Sequence, residues 1–192
     1  MQTLLWTILV LVAVPQAPPA INGAAIFDQG QSYEDFLSEA NARVDVWQNN
    51  TRRSRPPAGL VDRLKRSSEG LRLVVVAVAA CSDSVHTVPY VAALAREAGV
   101  PLRIVDPRVG RVIQDAFRTP DGRGATPTVA ILRGDTVVGA WVERPAALQH
   151  WMLGPGSALP QSERLDRKFG WYEWDRGEST VTELVELVER LR

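Results

Sequence analysis

The spacing of apolar residues along the chain changes from helical to extended and back again. Over residues 32–48, apolar side chains recur every three or four positions, which is typical of an amphipathic helix. Residues 71–80 are a nearly unbroken run of Val, Leu and Ala, as expected of a central strand covered on both faces. Helical spacing returns over residues 84–98, and Gly99 supplies the stop. The pattern therefore predicts a helix, a buried strand and a second helix.

A second strand–helix pair and a hairpin follow the buried strand. Residues 102–105 predict a short strand after Pro101, and residues 109–117 predict a compact helix. Two β-rich runs lie on either side of Gly134-Asp135, which predicts an antiparallel hairpin. A parallel unit followed by a hairpin implies an α/β fold, in which a mixed sheet is flanked by helices.

Helical spacing dominates the chain after the hairpin. Residues 146–153 and 163–174 predict two helices, and a Gly/Pro-rich connector separates them. Thr180 and Glu183 fit a capping box at the start of a final amphipathic helix. The aromatic residues of the stretch FGWYEWDRGEST recur at helical spacing, and we expect them, Trp174 included, to lie in the core; the alternative is a platform for a ligand.

These patterns divide the chain into four segments. The chain has 192 residues, which is long enough to bury the core of one ordinary domain. We predict a signal peptide at residues 1–25, a helical extension at 26–70, an α/β core at 71–153, and C-terminal helices at 154–192 that pack on the core.

An apolar run at residues 4–14 precedes the sequence PQAPPA near the start of the chain. The run is too short to cross a bilayer as a stable helix, but it suits the central region of a secretory signal. No Lys or Arg precedes it, so an uncleaved anchor and a mis-assigned start remain alternatives. We therefore expect an exported protein, periplasmic or extracellular, that is cytoplasmic if the start is mis-assigned. No later segment is apolar for long enough to span a membrane.

The charge balance and the few metal-binding residues limit the partners that we expect. Lys plus Arg and Asp plus Glu both number 22, so no net charge attracts the chain to nucleic acid. Cys81 is the only cysteine, which excludes an internal disulfide and a cysteine-based zinc site. Besides it there are only His86 and His150, so we expect no metal centre and no cofactor.

Cys81 lies in the segment VVVAVAACSDSVHTVP, between the buried strand and the helix that follows it. A helix N-terminus presents unpaired N–H groups and partial positive charge, which favour a thiolate over a thiol. Cysteines in this position can be more acidic than free cysteine and nucleophilic at neutral pH. Cys81 is therefore a candidate nucleophile; the alternative is a small, half-buried residue without chemistry.

The same segment resembles the thioredoxin superfamily, in which a central strand leads into C-x-x-C at the start of a helix. That helix carries a proline eight positions after the first cysteine, and Pro89 stands at this distance from Cys81. The family also places a cis-proline before its hairpin, and GRGATPT puts Pro127 there, after Thr126. The match covers residues 71–153, and the flanking helices look like the bacterial branch called thioredoxin family protein. The resemblance implies a thioredoxin-like fold, a structural role for Pro89, and a client-binding groove at Thr126 and Pro127.

The sequence departs from the family pattern at the second cysteine. The motif is Cys81-Ser82-Asp83-Ser84, so Ser84 occupies the position of the missing resolving cysteine. A mixed disulfide at Cys81 then has no internal thiol to resolve it. The buried acid that many members carry six residues before the cysteine is Val75 here. The result is a monothiol, C-x-x-S pattern.

Two functions from different classes fit this pattern. A monothiol thiol–disulfide oxidoreductase attacks a disulfide of a protein client or a small molecule through Cys81, and an external thiol resolves the adduct. The alternative is a redox-inactive binding or assembly module of the same fold, in which Cys81 is vestigial. Peroxide reduction through a sulfenic acid is a weaker third hypothesis, because no arginine can be assigned to the site.

Three residues after Cys81 have structural interpretations beside the functional ones. Asp83 lies in the first helical turn, where an acid suits the helix dipole, although its charge opposes a thiolate. The Ser84 hydroxyl either donates to a Cys81 thiolate or caps the helix. We expect His86 to lie on the surface rather than to pair with Cys81, because the two side chains diverge at this spacing.

Overall fold

The computed structural model describes residues 21–191, and its fold is built on a four-stranded mixed sheet. The strands are β1 (Leu71–Val76), β2 (Leu102–Val105), β3 (Thr128–Arg133) and β4 (Thr136–Val142). Their order is β2-β1-β3-β4; β1 and β2 run parallel, whereas β1–β3 and β3–β4 are antiparallel. The predicted α/β fold with a mixed, thioredoxin-like sheet is confirmed.

Helices cover both faces of the sheet in the described part of the chain. Those before β1 are α1 (Gly23–Phe27), α2 (Tyr33–Ser38), α3 (Val44–Arg53) and α4 (Ala58–Arg66). Two connect strands: α5 (Ser82–Ala98) and α6 (Arg111–Ala116). Those after β4 are α7 (Ala146–Leu153), a short 3₁₀ helix (Pro155–Ala158), α8 (Gln161–Asp175) and α9 (Glu178–Arg190).

The segment at residues 32–48 forms two helices, α2 and α3, rather than the single helix predicted. Arg43 has a φ of +54°, a left-handed conformation that interrupts a right-handed helix, so α3 begins only at Val44. The apolar stripe is buried all the same. Phe36 and Trp47 pack edge to face, with ring centroids 5.2 Å apart.

The final helix begins earlier than the predicted capping box. Gly177 has a φ of +77°, which lets the chain turn between α8 and α9, and α9 begins at Glu178. Thr180 therefore lies inside the helix and is buried. The Glu183 carboxylate does not cap the helix but accepts the Trp141 indole N–H at 2.8 Å.

The strand β1 contributes to both hydrophobic clusters of the core. Side chains alternate between the faces of a strand, so Leu73 and Val75 lie in one cluster and Val74 and Val76 in the other. The first cluster includes residues of α3, α4, α5 and α9: Trp47, Leu64, Leu94 and Leu184. The second includes residues of α1 and α6: Ile26 and Ile113. Burial on both faces explains the nearly unbroken apolar run from residue 71, although the strand itself ends at Val76, before residue 80.

The predicted signal peptide lies mostly outside the described residues. Its apolar run at residues 4–14 falls there entirely. Residues 21–25 pack on the sheet, since the Gly23 N–H donates to Asp135 O at 2.7 Å, and the predicted boundary at residue 25 falls inside α1. The division of the chain into four segments stays a prediction. Over residues 21–191, no helix is both long enough and apolar enough to cross a membrane.

Candidate functional site

Cys81 is the N-cap residue of α5, directly after the turn that leaves β1. Its side chain is half-buried, and its Sγ accepts the Ser84 backbone N–H at 3.5 Å. Trp47 Nε1 and Arg43 Nε donate to the carbonyls of the two residues before Cys81, at 3.0 and 2.9 Å. The thiol is therefore fixed at a helix N-terminus, where the N–H groups carry partial positive charge.

The loop of Thr126 and Pro127 lies against the thiol. The peptide bond between them is cis, and the Cys81 Sγ–H donates to Thr126 O at 3.1 Å. Pro127 is buried, and its carbonyl accepts the Glu143 N–H at 2.7 Å. Pro89 is buried inside α5. The fold thus brings Cys81 and Thr126 into contact. Pro127 lies next to Thr126 in the loop, Pro89 lies further along α5, and both are buried.

Ser84, at the position of the missing resolving cysteine, is sealed from solvent. Its exposed fraction is 0%, and among residues 21–191 its hydroxyl has no hydrogen-bond partner. The contact with Cys81 comes from the Ser84 backbone N–H and not from the expected hydroxyl. Of these two side chains, only that of Cys81 reaches solvent.

Asp83 is buried and paired, which changes its expected effect on the thiol. Its carboxylate accepts from Lys168 Nζ at 2.8 Å, from Arg144 Nη2 at 3.2 Å and from the Tyr172 hydroxyl at 2.6 Å. The exposed fractions of Asp83, Lys168 and Arg144 are 5%, 3% and 8%. Two buried cations therefore face this anion, and Asp83 does not act on Cys81 as an isolated negative charge.

Asp83, Lys168, Arg144 and Tyr172 form a buried cluster, the Asp83 cluster, that connects α8 to the first turn of α5. Lys168 Nζ also donates to the Ser82 hydroxyl at 2.9 Å, in the residue next to Cys81. Burial raises the pKa of Tyr172 well above its usual value, and the Asp83 carboxylate raises it further. The Tyr172 phenol therefore stays protonated and acts as a hydrogen-bond donor.

Lys168, Tyr172 and Arg144 could not be found from the sequence pattern. They lie 85, 89 and 61 residues from Asp83 along the chain, and no motif or spacing connects them to it. The sequence offers one signal: Lys168 precedes Tyr172 by four residues, so the two share a face of the predicted helix, and we expect Tyr172 to be buried. A lysine on a buried face needs a partner, because buried lysines are rare unless they are paired.

His86 is partly buried, so its predicted place on the surface is wrong. Its ring stacks on Tyr172, with centroids 4.8 Å apart and an interplanar angle of 5°. Asn50 Nδ2 lies 3.4 Å from His86 Nδ1. Burial lowers the pKa of His86 to about 4, so the imidazole is neutral at neutral pH. His86 thus packs α8 onto α5, and it forms no hydrogen bond with the Cys81 thiol.

The aromatic residues of α8 divide between core and surface. Tyr172 is buried, as predicted, and Phe169 and Trp171 are half-buried. Trp174 is 77% exposed, so its predicted place in the core is wrong. Helical spacing puts Trp171 and Trp174 on one face of α8, but within residues 21–191 no other element covers Trp174.

No metal centre is formed by the described residues. Between residues 21 and 191, no group of three or more His, Cys, Asp and Glu side chains is arranged to hold an ion. His150 is exposed on α7.

Comparisons with known proteins agree with the fold. The model of a family described as Thioredoxin matches residues 30–164. A crystal structure of a protein of unknown function from Pseudomonas aeruginosa has a TM-score of 0.66 and 21% identity, over 90% of this chain and 99% of that one. An HIV epitope-scaffold has a TM-score of 0.65 and 19% identity, over 88% and 98% of the two chains. At these identities, both structures bear on the fold alone.

A search among curated proteins gave no match. The family model nevertheless spans well over half of the sequence, from the residues before α2 to the first part of α8. The chain belongs to the thioredoxin family.

Proposed function

We propose that the protein is a monothiol thiol–disulfide oxidoreductase of the C-x-x-S type, from the bacterial branch of the thioredoxin family, with Cys81 as the nucleophile. The main support is the position of its sulfur, which is half-exposed at the N-cap of α5 and accepts the Ser84 N–H. The partial positive charge of a helix N-terminus favours a thiolate at this place. The pairing of Asp83 with Lys168 and Arg144 offsets the negative charge of a carboxylate two residues from Cys81, a charge that opposes a thiolate when it is unpaired.

The reaction consists of two thiol–disulfide exchanges. The Cys81 thiolate attacks one sulfur of a client disulfide; a bond forms between the two sulfurs, and the other client sulfur leaves as a thiolate. An external low-molecular-weight thiol then attacks the client sulfur of the mixed disulfide and releases the Cys81 thiolate. The second attack comes from outside the protein because Ser84 carries no thiol and is sealed from solvent.

Thr126 and Pro127 are the proposed substrate-binding residues. Without a client, the Thr126 carbonyl accepts the Cys81 S–H. An extended client segment that donates an N–H to this carbonyl competes for the acceptor of the thiol proton. Client binding and thiolate formation then favour each other.

The second candidate is a redox-inactive binding module, and it is favoured by the same contact. The hydrogen bond from Sγ–H to Thr126 O is made by the protonated thiol, which is the less nucleophilic form. In this case the loop of Thr126 and Pro127 binds a client without exchange, and Cys81 contributes packing alone. The two candidates differ in the reactivity of Cys81 in the folded protein.

We also propose that the protein is exported, so that its clients are disulfide-bearing proteins or small disulfides of an oxidising compartment. The support is the apolar run at residues 4–14, which suits a secretory signal. N-terminal sequencing of the protein from its source tests this proposal. A mature chain without residues 4–14 agrees with export by a cleaved signal, and an intact N-terminus contradicts cleavage and leaves the uncleaved anchor or the mis-assigned start.

Adduct formation with oxidised glutathione tests the enzymatic function. The folded protein is incubated with the disulfide and its intact mass is measured, with Cys81→Ser as the blank. We expect one glutathione adduct, which forms faster than on the urea-unfolded chain and is released by reduced thiol. An adduct that forms only on the unfolded chain excludes this function and leaves the binding module.

A further inference from the structure

Helices α7 and α8 form a groove on the surface of the protein. Its lining is mostly apolar and aromatic, with one cation: Leu148, Trp151, Arg167, Trp171 and Trp174. The cavity volume is about 310 Å³, at the small end of the range of about 300–1,000 Å³ that ligand sites occupy. This size suits one or two large side chains of a partner.

The tryptophans of the groove are open to solvent. Trp174 is 77% exposed, and Trp151 and Trp171 are half-buried. The rings of Trp171 and Trp174 meet at an interplanar angle of 63°, with centroids 6.4 Å apart. Leu153, at the end of α7, is also exposed. Exposed apolar patches mark interaction surfaces, and Trp and Arg dominate the binding energy at such surfaces.

The charge of the groove selects the kind of partner. Among the residues that the structure describes, Arg167 is the one charged residue in its lining, and no carboxylate lines it. The Arg167 guanidinium pairs with Glu163 at 2.6 Å, but the two side chains are 57% and 44% exposed. Exposed pairs of this kind contribute little, so a ligand carboxylate can replace Glu163. An apolar group beside a negative charge therefore fits both features of the groove.

The groove lies close to the active-site turn along α8. Lys168 of this helix donates to the hydroxyl of Ser82, the residue next to Cys81. Trp171 is three residues further along, a rise of about 4.5 Å. The helix that lines the groove is therefore the same helix that contacts the turn of Cys81.

We propose that this groove docks the polypeptide client whose disulfide Cys81 attacks, by binding an apolar side chain of the client that is followed by an acidic one. The apolar side chain lies against Trp171 and Trp174, and the acidic side chain pairs with Arg167. The identity of the client rests on the proposed function, whereas the docking itself needs no thiol.

The test measures the binding of cysteine-free, fluorescein-labelled peptides to the full chain by fluorescence anisotropy. The probe peptide carries Leu-Phe followed by Asp-Glu in a Gly/Ser background. Two matched peptides replace Asp-Glu by Lys-Lys or Leu-Phe by Ser-Ser. We expect each matched peptide to bind at least about tenfold more weakly than the probe. Equal binding of the three peptides overturns the proposal.

Three protein variants locate the binding site of the probe. Trp174→Ala weakens its binding by about tenfold or more, and Arg167→Gln by about threefold or more. Arg164→Gln is the matched control, because it removes a cation from the same helix but outside the lining of the groove, and it changes binding by less than about twofold. Trp174 is exposed, so its replacement leaves the fold intact, which urea unfolding checks. Unchanged binding by Trp174→Ala and Arg167→Gln overturns the groove as the docking site.

Cys81→Ser separates this inference from the proposed function. We expect this variant to bind the probe as the natural chain does, because docking makes no covalent bond. If the probe binds the groove but Cys81 forms no glutathione adduct, the proposed function is overturned and the docking site stands. If Cys81 forms the adduct but the probe does not bind, the docking inference alone is overturned.

Discussion

Substitution of Asp83 or Lys168 tests whether their buried pair holds α8 on α5. The two residues are 5% and 3% exposed, and Lys168 Nζ lies 2.8 Å from Asp83 Oδ2. Removing one partner of a buried pair costs about 3–5 kcal/mol, because the other charge is left uncompensated. Asp83→Asn leaves Lys168 with the neutral Ser82 hydroxyl, so we expect a loss of about 5 kcal/mol. In Lys168→Met, Asp83 keeps Arg144 and Tyr172 as partners, so we expect a smaller loss, of about 3 kcal/mol.

The assay is urea unfolding at equilibrium, which gives the free energy of unfolding of each single variant and of the double variant. Since Asp83 and Lys168 belong to one network, the double variant loses less than the sum of the single losses, by about 1–3 kcal/mol. Arg167→Met is the matched control on the same helix, because its pair with Glu163 is exposed; it loses less than about 1 kcal/mol. The reasoning is refuted by single losses that add, or by a loss in Lys168→Met no larger than in Arg167→Met.

Four other substitutions test three separate features. Burial lowers the pKa of His86 from 6.5 to about 4, so between these values the unfolded chain binds more protons, and stability falls as the pH falls. We attribute to His86 a fall of about 2 kcal/mol in the free energy of unfolding between neutral pH and about pH 4. His86→Phe removes this fall, as measured by urea unfolding, and an unchanged pH dependence in the variant contradicts this reasoning. We expect Gly177→Ala to lower the free energy of unfolding by about 2–3 kcal/mol, since φ is +77° at this residue and an added Cβ would lie 2.1 Å from the Tyr90 ring. Gly170→Ala, with open space in α8, is neutral or stabilising by up to about 1 kcal/mol, and equal losses by the two variants count against this geometry. Ser84→Cys supplies a resolving thiol, so we expect it to reduce insulin disulfides while the natural chain reduces few or none; equal rates contradict a monothiol site.

The sheet could be predicted because its signals are local. A run that is apolar at nearly every position indicates a strand with two covered faces, and the strand that forms, residues 71–76, meets a cluster on each face. The dipeptide Gly134-Asp135 marks the tight turn between β3 and β4. The break between α2 and α3 could not be predicted, because it depends on the left-handed backbone of Arg43, a residue type that rarely adopts it.

The site could be predicted in part. The place of Cys81 follows from the strand-to-helix transition, and the family resemblance indicates the cis-proline after Thr126, whose carbonyl contacts Cys81 in the structure. The partners of Asp83 depend on where α8 packs, which no local pattern encodes. The exposure of Trp174 was missed for a related reason: helical spacing indicates which residues share a face, but not whether another element covers that face.

The reactivity of Cys81 in the folded protein decides between the two candidate functions. It is measured by the rate of alkylation with iodoacetamide as a function of pH, with Cys81→Ser as the blank and the urea-unfolded chain as the reference for a free thiol. For the folded protein we predict alkylation at neutral pH that is faster than that of the unfolded chain, and a stable glutathione adduct. Alkylation at neutral pH that is no faster than that of the unfolded chain, with no adduct, contradicts the oxidoreductase and leaves a thioredoxin-fold binding module.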